Sequence, residues 1–166
     1  AIQNLAFKNN AAVVLINKEK DQLGMVHYRY QEYFNGKPVQ YTMLIVHTLN
    51  NRVVSLNGEY YRGLTDPFQQ NLNEKEALQK ALNHTAASEY AWQDIQMESI
   101  LKYIQNSATA TYYPKGDLVY ISKNNSLQTE DIRLAYRFNV YATAPMGRAN
   151  IFVDASSGEI LFTENL

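Results

Sequence analysis

The residues able to carry chemistry in this chain are few and widely spaced. The three histidines, His27, His47 and His84, lie far apart, and none belongs to an H-E-x-x-H or comparable ligand spacing. His27 and His47 fall in alternating segments, where a histidine satisfied by polar neighbours outweighs a metal ligand. His84 falls on a helical segment as a solvated side chain. There is no cysteine, which removes thiol nucleophiles and disulfide frameworks, and no G-x-S-x-G elbow to expose an activated serine. The carboxylate pair Glu130-Asp131 lies in a polar loop, where solvation outweighs acid–base work. The glycines are scattered and build no phosphate cradle. Thirteen tyrosines could stack on sugars, but the packing of sheet faces is the stronger use for them. So sparse a set of reactive groups points to a binding or regulatory protein rather than an enzyme, with no catalytic residue, cofactor or metal of its own.

Bulk properties agree with that reading. The 166 residues are 46% hydrophobic and 19% charged, a globular composition able to bury a core. Fifteen basic and sixteen acidic residues leave a net charge of -1, which gives no electrostatic case for nucleic acid or an anionic membrane. No apolar run approaches the roughly 20 residues that span a bilayer. The opening Ala1-Ile2-Gln3-Asn4 has no basic and apolar leader pattern, so any signal peptide has been removed or never existed. The lack of cysteine suits exported and cytosolic proteins alike.

The elements that would position these residues follow from periodicity. Val26, Tyr28 and Tyr30 alternate with His27, Arg29 and Gln31, a two-residue period that predicts a strand. Asn35-Gly36 predicts a hairpin turn with Pro38 stiffening its exit, and a long strand follows over Val39–Leu49. Asn50-Asn51 turns the chain into Arg52–Leu56, and Asn57-Gly58 turns it again into Glu59–Arg62. The stretch Leu64–Leu72, with Asp66-Pro67, reads as a linker. Asn73 followed by Glu76 predicts a capping box, and Leu78, Ala81, Leu82, Thr85 and Ala86 form an apolar stripe at 3.6 spacing. A shorter amphipathic stretch, Met97–Ile104, predicts a second helix. Strands return at Leu118–Ser122, Leu134–Thr143, Ala149–Val153 and Glu159–Thr163, the last two joined by a turn over Asp154–Gly158. The expected fold is α+β with two small subdomains, residues 1–66 and 73–166, each with an antiparallel sheet and the second with a helix packed on it.

The same segments carry a resemblance. Leu23-Gly24-Met25-Val26-His27-Tyr28-Arg29-Tyr30-Gln31-Glu32-Tyr33-Phe34-Asn35-Gly36-Lys37-Pro38-Val39 resembles the propeptide motif of fungalysins and thermolysins. That motif has a His and Arg two apart, a glutamine-rich patch, then Gly-x-Pro-Val, and Ile45-Val46-His47 and Val53-Val54-Ser55-Leu56-Asn57-Gly58 continue it. Glu32 stands where a glutamine is usual, and Tyr41 where a glycine is common. The second half is similar to a PepSY domain, through Glu74–Ala87, Leu118-Val119-Tyr120, Leu134–Val140 and Phe152-Val153-Asp154-Ala155-Ser156-Ser157-Gly158-Glu159-Ile160-Leu161.

The resemblance implies the propeptide of a secreted thermolysin-like zinc metalloprotease, acting as intramolecular chaperone and inhibitor. Its partner would be the catalytic domain, which carries the zinc, and the isolated chain would be an exported monomer. His27, Arg29, Gln31, Gly36, Pro38, Val39, His47, Gly58, Asp154 and Gly158 would be the motif residues, structural or interfacial in role. Two other readings stay open: a free-standing PepSY-type protease inhibitor, and a small-molecule or glycan-binding module using the tyrosine-rich sheet. A joint near residues 64–73 predicts that limited proteolysis cuts there first. Early cuts confined to Tyr28–Tyr61 would contradict that organisation.

Overall fold

In a computed structural model, residues 10–65, 68–123, 126 and 128–166 are described. The opening Ala1–Asn4 segment and the Asp66-Pro67 pair of the expected linker lie outside them. The chain divides into two units, one made of residues 1–67 with 119–133, the other of residues 68–118 with 134–166.

The first unit is built on an antiparallel meander. Strand β1 spans Ala11–Lys20, β2 Val26–Phe34, β3 Lys37–Pro38, β4 Met43–Leu49 and β5 Arg52–Glu59. The sheet order is β1-β2-β4-β5, with the short β3 also paired to β2. Two turns close as asparagine and glycine allow. Asn35 and Gly36 both take positive φ (47° and 73°), as do Asn50 and Asn51 (49° and 60°), the geometry of tight hairpin connections. Alternation along β2 puts Tyr28, Tyr30, Glu32 and Phe34 on one face. Register sets Tyr28 opposite Val46 and Tyr30 opposite Leu44, so this is the core face, with Phe34, Leu44 and Val46 buried.

Three features differ from the expected pattern. The strand expected over Val39–Leu49 begins only at Met43, because Tyr41 adopts a left-handed φ of 60° and turns the chain before β4. Asn57-Gly58 is not a turn: β5 runs straight through it, pairing to Glu59 opposite Met43. Its glycine serves close approach instead, since a Cβ at Gly58 would lie 1.9 Å from the Met43 carbonyl oxygen. Finally, β1 has no counterpart among the expected elements. Its Ala11–Ile16 segment is a continuous apolar run without alternation, so no period-two signal announces it.

In the second unit, helix α1 spans Glu74–Thr85 and packs against strands β9 (Met146–Asp154) and β10 (Ile160–Asn165). Its start is fixed by a reciprocal cap: Glu76 N–H donates to Asn73 Oδ1 at 3.0 Å, and Asn73 N–H donates to Glu76 Oε2 at 2.8 Å. Ala77, Leu78 and Ala81 form its buried face, while Ala86 lies past the helix as a left-handed cap (φ 51°). The sheet order is β10-β9-β8-β6, with β8 at Ile132–Ala144 and β6 at Glu89–Tyr90. A second helix, α2, covers Ile95–Ile104; strand β7, Asp117–Ser122, begins in this unit and continues into the 119–133 segment of the first. Phe138, Val140, Ile151, Phe152 and Val153 are buried at the centre of this unit. The molecule is α+β, with a helix on the second sheet.

Two glycines of the first sheet therefore differ in why they are glycine. Replacing Gly36 by Ala meets no atom within 4 Å and costs only the left-handed backbone, about 1 kcal/mol. Replacing Gly58 by Ala drives a methyl into the β4 backbone and should cost more than ~2 kcal/mol. Urea unfolding of the two variants checks the order, and equal losses would contradict it.

Candidate functional site: the polar stripe of the first sheet

The face of β2 opposite the core carries His27, Arg29 and Gln31, and each is held differently. His27 lies directly across from His47 on β4, and the two rings meet edge to face with centroids 4.8 Å apart. Their Nδ1 atoms are 2.6 Å apart. His27 Nε2 also lies 3.2 Å from Asp21 Oδ2, and Asn57 Nδ2 lies 3.3 Å from His47 Nε2. Asp21 Oδ1 accepts the Leu23 and Met25 N–H groups, both at 2.9 Å. These bonds, led by the Met25 N–H and joined by His27, hold its carboxyl below the usual range against an opposing effect of burial.

A carboxylate only accepts, so Asp21 requires the proton of neutral His27 on Nε2. The bare Nδ1 of His27 then accepts from His47 Nδ1–H, and the bare Nε2 of His47 accepts from the Asn57 amide. One proton arrangement satisfies the whole row from Asn57 to Asp21. It ties the turn after β1, β2, β4 and β5 together through side chains. Among the described residues no group of three or more His, Cys, Asp or Glu side chains is placed to hold a metal ion.

Arg29 pairs with Glu19 of β1 at 3.1 Å, with both side chains partly exposed. Such a pair contributes at most about 1 kcal/mol. Gln31 acts on the backbone. Its Nε2 donates to the Val39 carbonyl at 2.5 Å and to the Glu32 carbonyl and Thr42 Oγ1 at 3.2 Å each. Val39 is fully buried, its N–H donates to the Glu32 carbonyl at 2.9 Å, and it forms an isolated bridge with Tyr120 of the same unit. Pro38 pairs with Tyr33, and Gly36 supplies the turn before it.

The two departures from the motif fall at telling places. Tyr41 occupies a left-handed position, the conformation that favours glycine. Glu32 is 1% exposed on the core face. Its Oε2 accepts the Tyr61 N–H at 3.0 Å, while Oε1 has no partner among the described residues. Burial pushes its carboxyl up to about 7, outweighing the opposing hydrogen bond of the Tyr61 N–H.

Asp154 and Gly158 belong to the second unit and form a separate turn. Asp154 Oδ1 accepts the Ser156 and Ser157 N–H groups, both at 2.8 Å, and Gly158 takes φ 77° against the Leu72 side chain. His84 lies 3.1 Å from Thr163 in that unit. The structure thus gathers His27, Arg29, Gln31, Gly36, Pro38, Val39, His47 and Gly58 in the first unit and leaves Asp154 and Gly158 in the second. Sequence reading missed Asp21, Glu19 and Asn57 as partners. Asp21 had a signal, since an Asp three residues before Gly24 marks a side-chain-capped turn. Asn57 and Glu19 become visible only once register is known.

The row predicts energetic coupling across the sheet. His27→Ala and His47→Ala should each cost about 1–3 kcal/mol, and the double variant should lose about 1 kcal/mol less than their sum. Denaturant unfolding of the four proteins measures this, and strict additivity would dissolve the pair. Zinc titration should show no stoichiometric binding that His27→Ala abolishes.

Comparison with known proteins matches residues 11–60 to the Fungalysin/Thermolysin Propeptide Motif. The matched range begins with β1 and ends just past β5. Over 163 residues the chain is 28% identical to bacillolysin of Bacillus amyloliquefaciens, an alignment covering 96% of this chain and 28% of that protein. The chain thus spans little more than a quarter of the length of that relative. Residues 11–60, folded as a five-stranded antiparallel sheet with a polar stripe on one face, thus match the fungalysin/thermolysin propeptide motif.

Proposed function

We propose that this chain is the propeptide of a secreted thermolysin-like zinc metalloprotease, serving as folding aid and inhibitor of the catalytic domain. The observation that carries the reading is the coincidence of the propeptide motif with a complete sheet, alongside a bacillolysin likeness spanning nearly the whole chain. Residues 73–166 would form a PepSY-like second module in the order that the resemblance implies. Both tasks are matters of binding, so the chain needs no catalytic group, and the zinc belongs to its partner.

The physical basis is mass action. A partner that binds the native-like protease but not its unfolded chain stabilises it, by about 2.7 kcal/mol at a hundred times Kd. Inhibition requires only that the cleft be covered. Strand β5 suits such contact: it ends the sheet order, and all eight of its residues are exposed, with Val53, Val54 and Leu56 among them. An edge of this kind can pair with a strand of the enzyme by β-augmentation.

Added in trans, the purified chain should slow a thermolysin-like protease and raise the refolding yield of its denatured catalytic domain. Both assays would be run with this chain and with a version extended by the natural linker. If neither version changes activity or yield, the propeptide reading fails. Inhibition only with the linker would place the cleft-filling residues outside these 166, leaving the folded units as a docking scaffold.

A further inference from the structure

Glu32 is an acid placed where the fold expects an apolar residue. Its neighbours on the core face of β2 are Tyr30 and Phe34, and its partner in register on β1 is Val13. The carboxyl sits between that sheet and the segment after β5, where Tyr61 is 5% exposed and its N–H reaches Glu32 Oε2 at 3.0 Å. The other oxygen is buried and unpartnered among the described residues. Thr42 is the nearby hydroxyl, but its proton is committed to the Val39 carbonyl at 2.8 Å.

The groups around the carboxyl offer no compensating charge. From β1 the facing residue is Val13. From the segment 39–42 come the Val39 N–H, spent on the Glu32 carbonyl, and Thr42. From the segment after β5 comes Tyr61, a neutral phenol whose own ionisation is made harder by burial and by the charges of Glu32, Asp131 and Glu59. Tyr120 packs its ring on Phe34 at 5.3 Å. The nearby guanidinium of Arg62 lies over the Tyr60 ring at 5.4 Å. Among the described residues no Lys or Arg pairs with Glu32. A buried carboxylate with one empty oxygen is costly, whereas the protonated acid is neutral and can offer its O–H to the Thr42 oxygen.

We propose that Glu32 is a proton-controlled latch of the first unit: as a neutral acid it lets residue 61 seat on the sheet, and as a carboxylate it loosens that unit. The direction follows from linkage. The folded carboxyl is pushed up to about 7 from an ordinary 4.5, so between those values the folded chain holds a proton that the unfolded chain has released. The stabilisation is complete below about pH 4.5 and is lost as pH rises through about 7. This device concerns the chain's own folding and stands whether or not the propeptide reading holds.

The test compares urea unfolding of the 166-residue chain and its Glu32→Gln variant from pH 4.5 to 8. The amide keeps the shape of the neutral acid and cannot ionise. Relative to the variant, the wild-type folding constant should fall on the order of a hundredfold across that range, because the folding constant changes about tenfold per pH unit while only the folded chain holds the proton. Parallel pH dependence of the two proteins would overturn the latch. The carboxyl carbon of Glu32, followed by NMR in the wild type, gives a second reading that does not rely on the variant folding. A carbon still reporting the protonated form at pH 6 supports the latch, and titration in the ordinary carboxylate range sinks it.

Discussion

The first unit depends on satisfying one buried peptide, that of Val39. Its N–H and carbonyl are both inside the unit, where an unpaired backbone group would cost several kcal/mol. The carbonyl is met by Gln31 and Thr42, and the N–H by the carbonyl of Glu32. The following Gln40 N–H donates to the Tyr120 carbonyl at 2.7 Å. Pro38 restricts the approach, and the left-handed Tyr41 turns the chain away toward β4. Much of the Gly-x-Pro-Val signature serves to deliver one residue to this position. Gln31 is the side chain that closes it.

That arrangement explains how a single strand manages two chemistries. His27, Arg29 and Gln31 form a polar row on β2 whose partners lie on β1, on β4, in the turn that precedes β2 and, for Gln31, mainly in the segment 39–42. The even-numbered residues are the core, and Glu32 is the one member that does not conform. The strand thus carries an ion pair in partial solvent at Arg29, a tautomer-locked histidine at His27, and a desolvated acid at Glu32. Burial decides among these outcomes, because the same carboxyl chemistry at Asp21 and at Glu32 is pushed in opposite directions by hydrogen bonding and desolvation.

Local signals are legible in the chain wherever backbone conformation is dictated by one or two residues. Asn35-Gly36, Asn50-Asn51, the Asn73–Glu76 cap and the Asp154–Gly158 turn can all be read there, as can the α+β class. What escapes are features fixed by pairing. Asn57-Gly58 has the composition of a hairpin turn, yet continued register with β4 overrides it and gives the glycine another use. Strand β1 hides in an apolar run because both of its faces are apolar near its start. Alternation indicates that His27, Arg29 and Gln31 share a side, but only register reveals that His27 faces His47. Glu32 stands out in sequence as an oddity of pattern, and its burial requires the segment near residue 61 to be in place.

The first unit is not one continuous piece of chain, since residues 119–133 complete it. Tyr120 supplies the bridge to Val39, and Ser126 supplies the carbonyl that accepts the Tyr61 hydroxyl. As the polypeptide leaves a ribosome or a translocation channel, the meander can pair its strands early. The Gln40 N–H and the Tyr61 hydroxyl must then wait for residues made much later. Vectorial synthesis therefore leaves the sheet paired but without its late partners until residues 119–133 emerge, by which point residues 68–118 of the second unit have emerged as well.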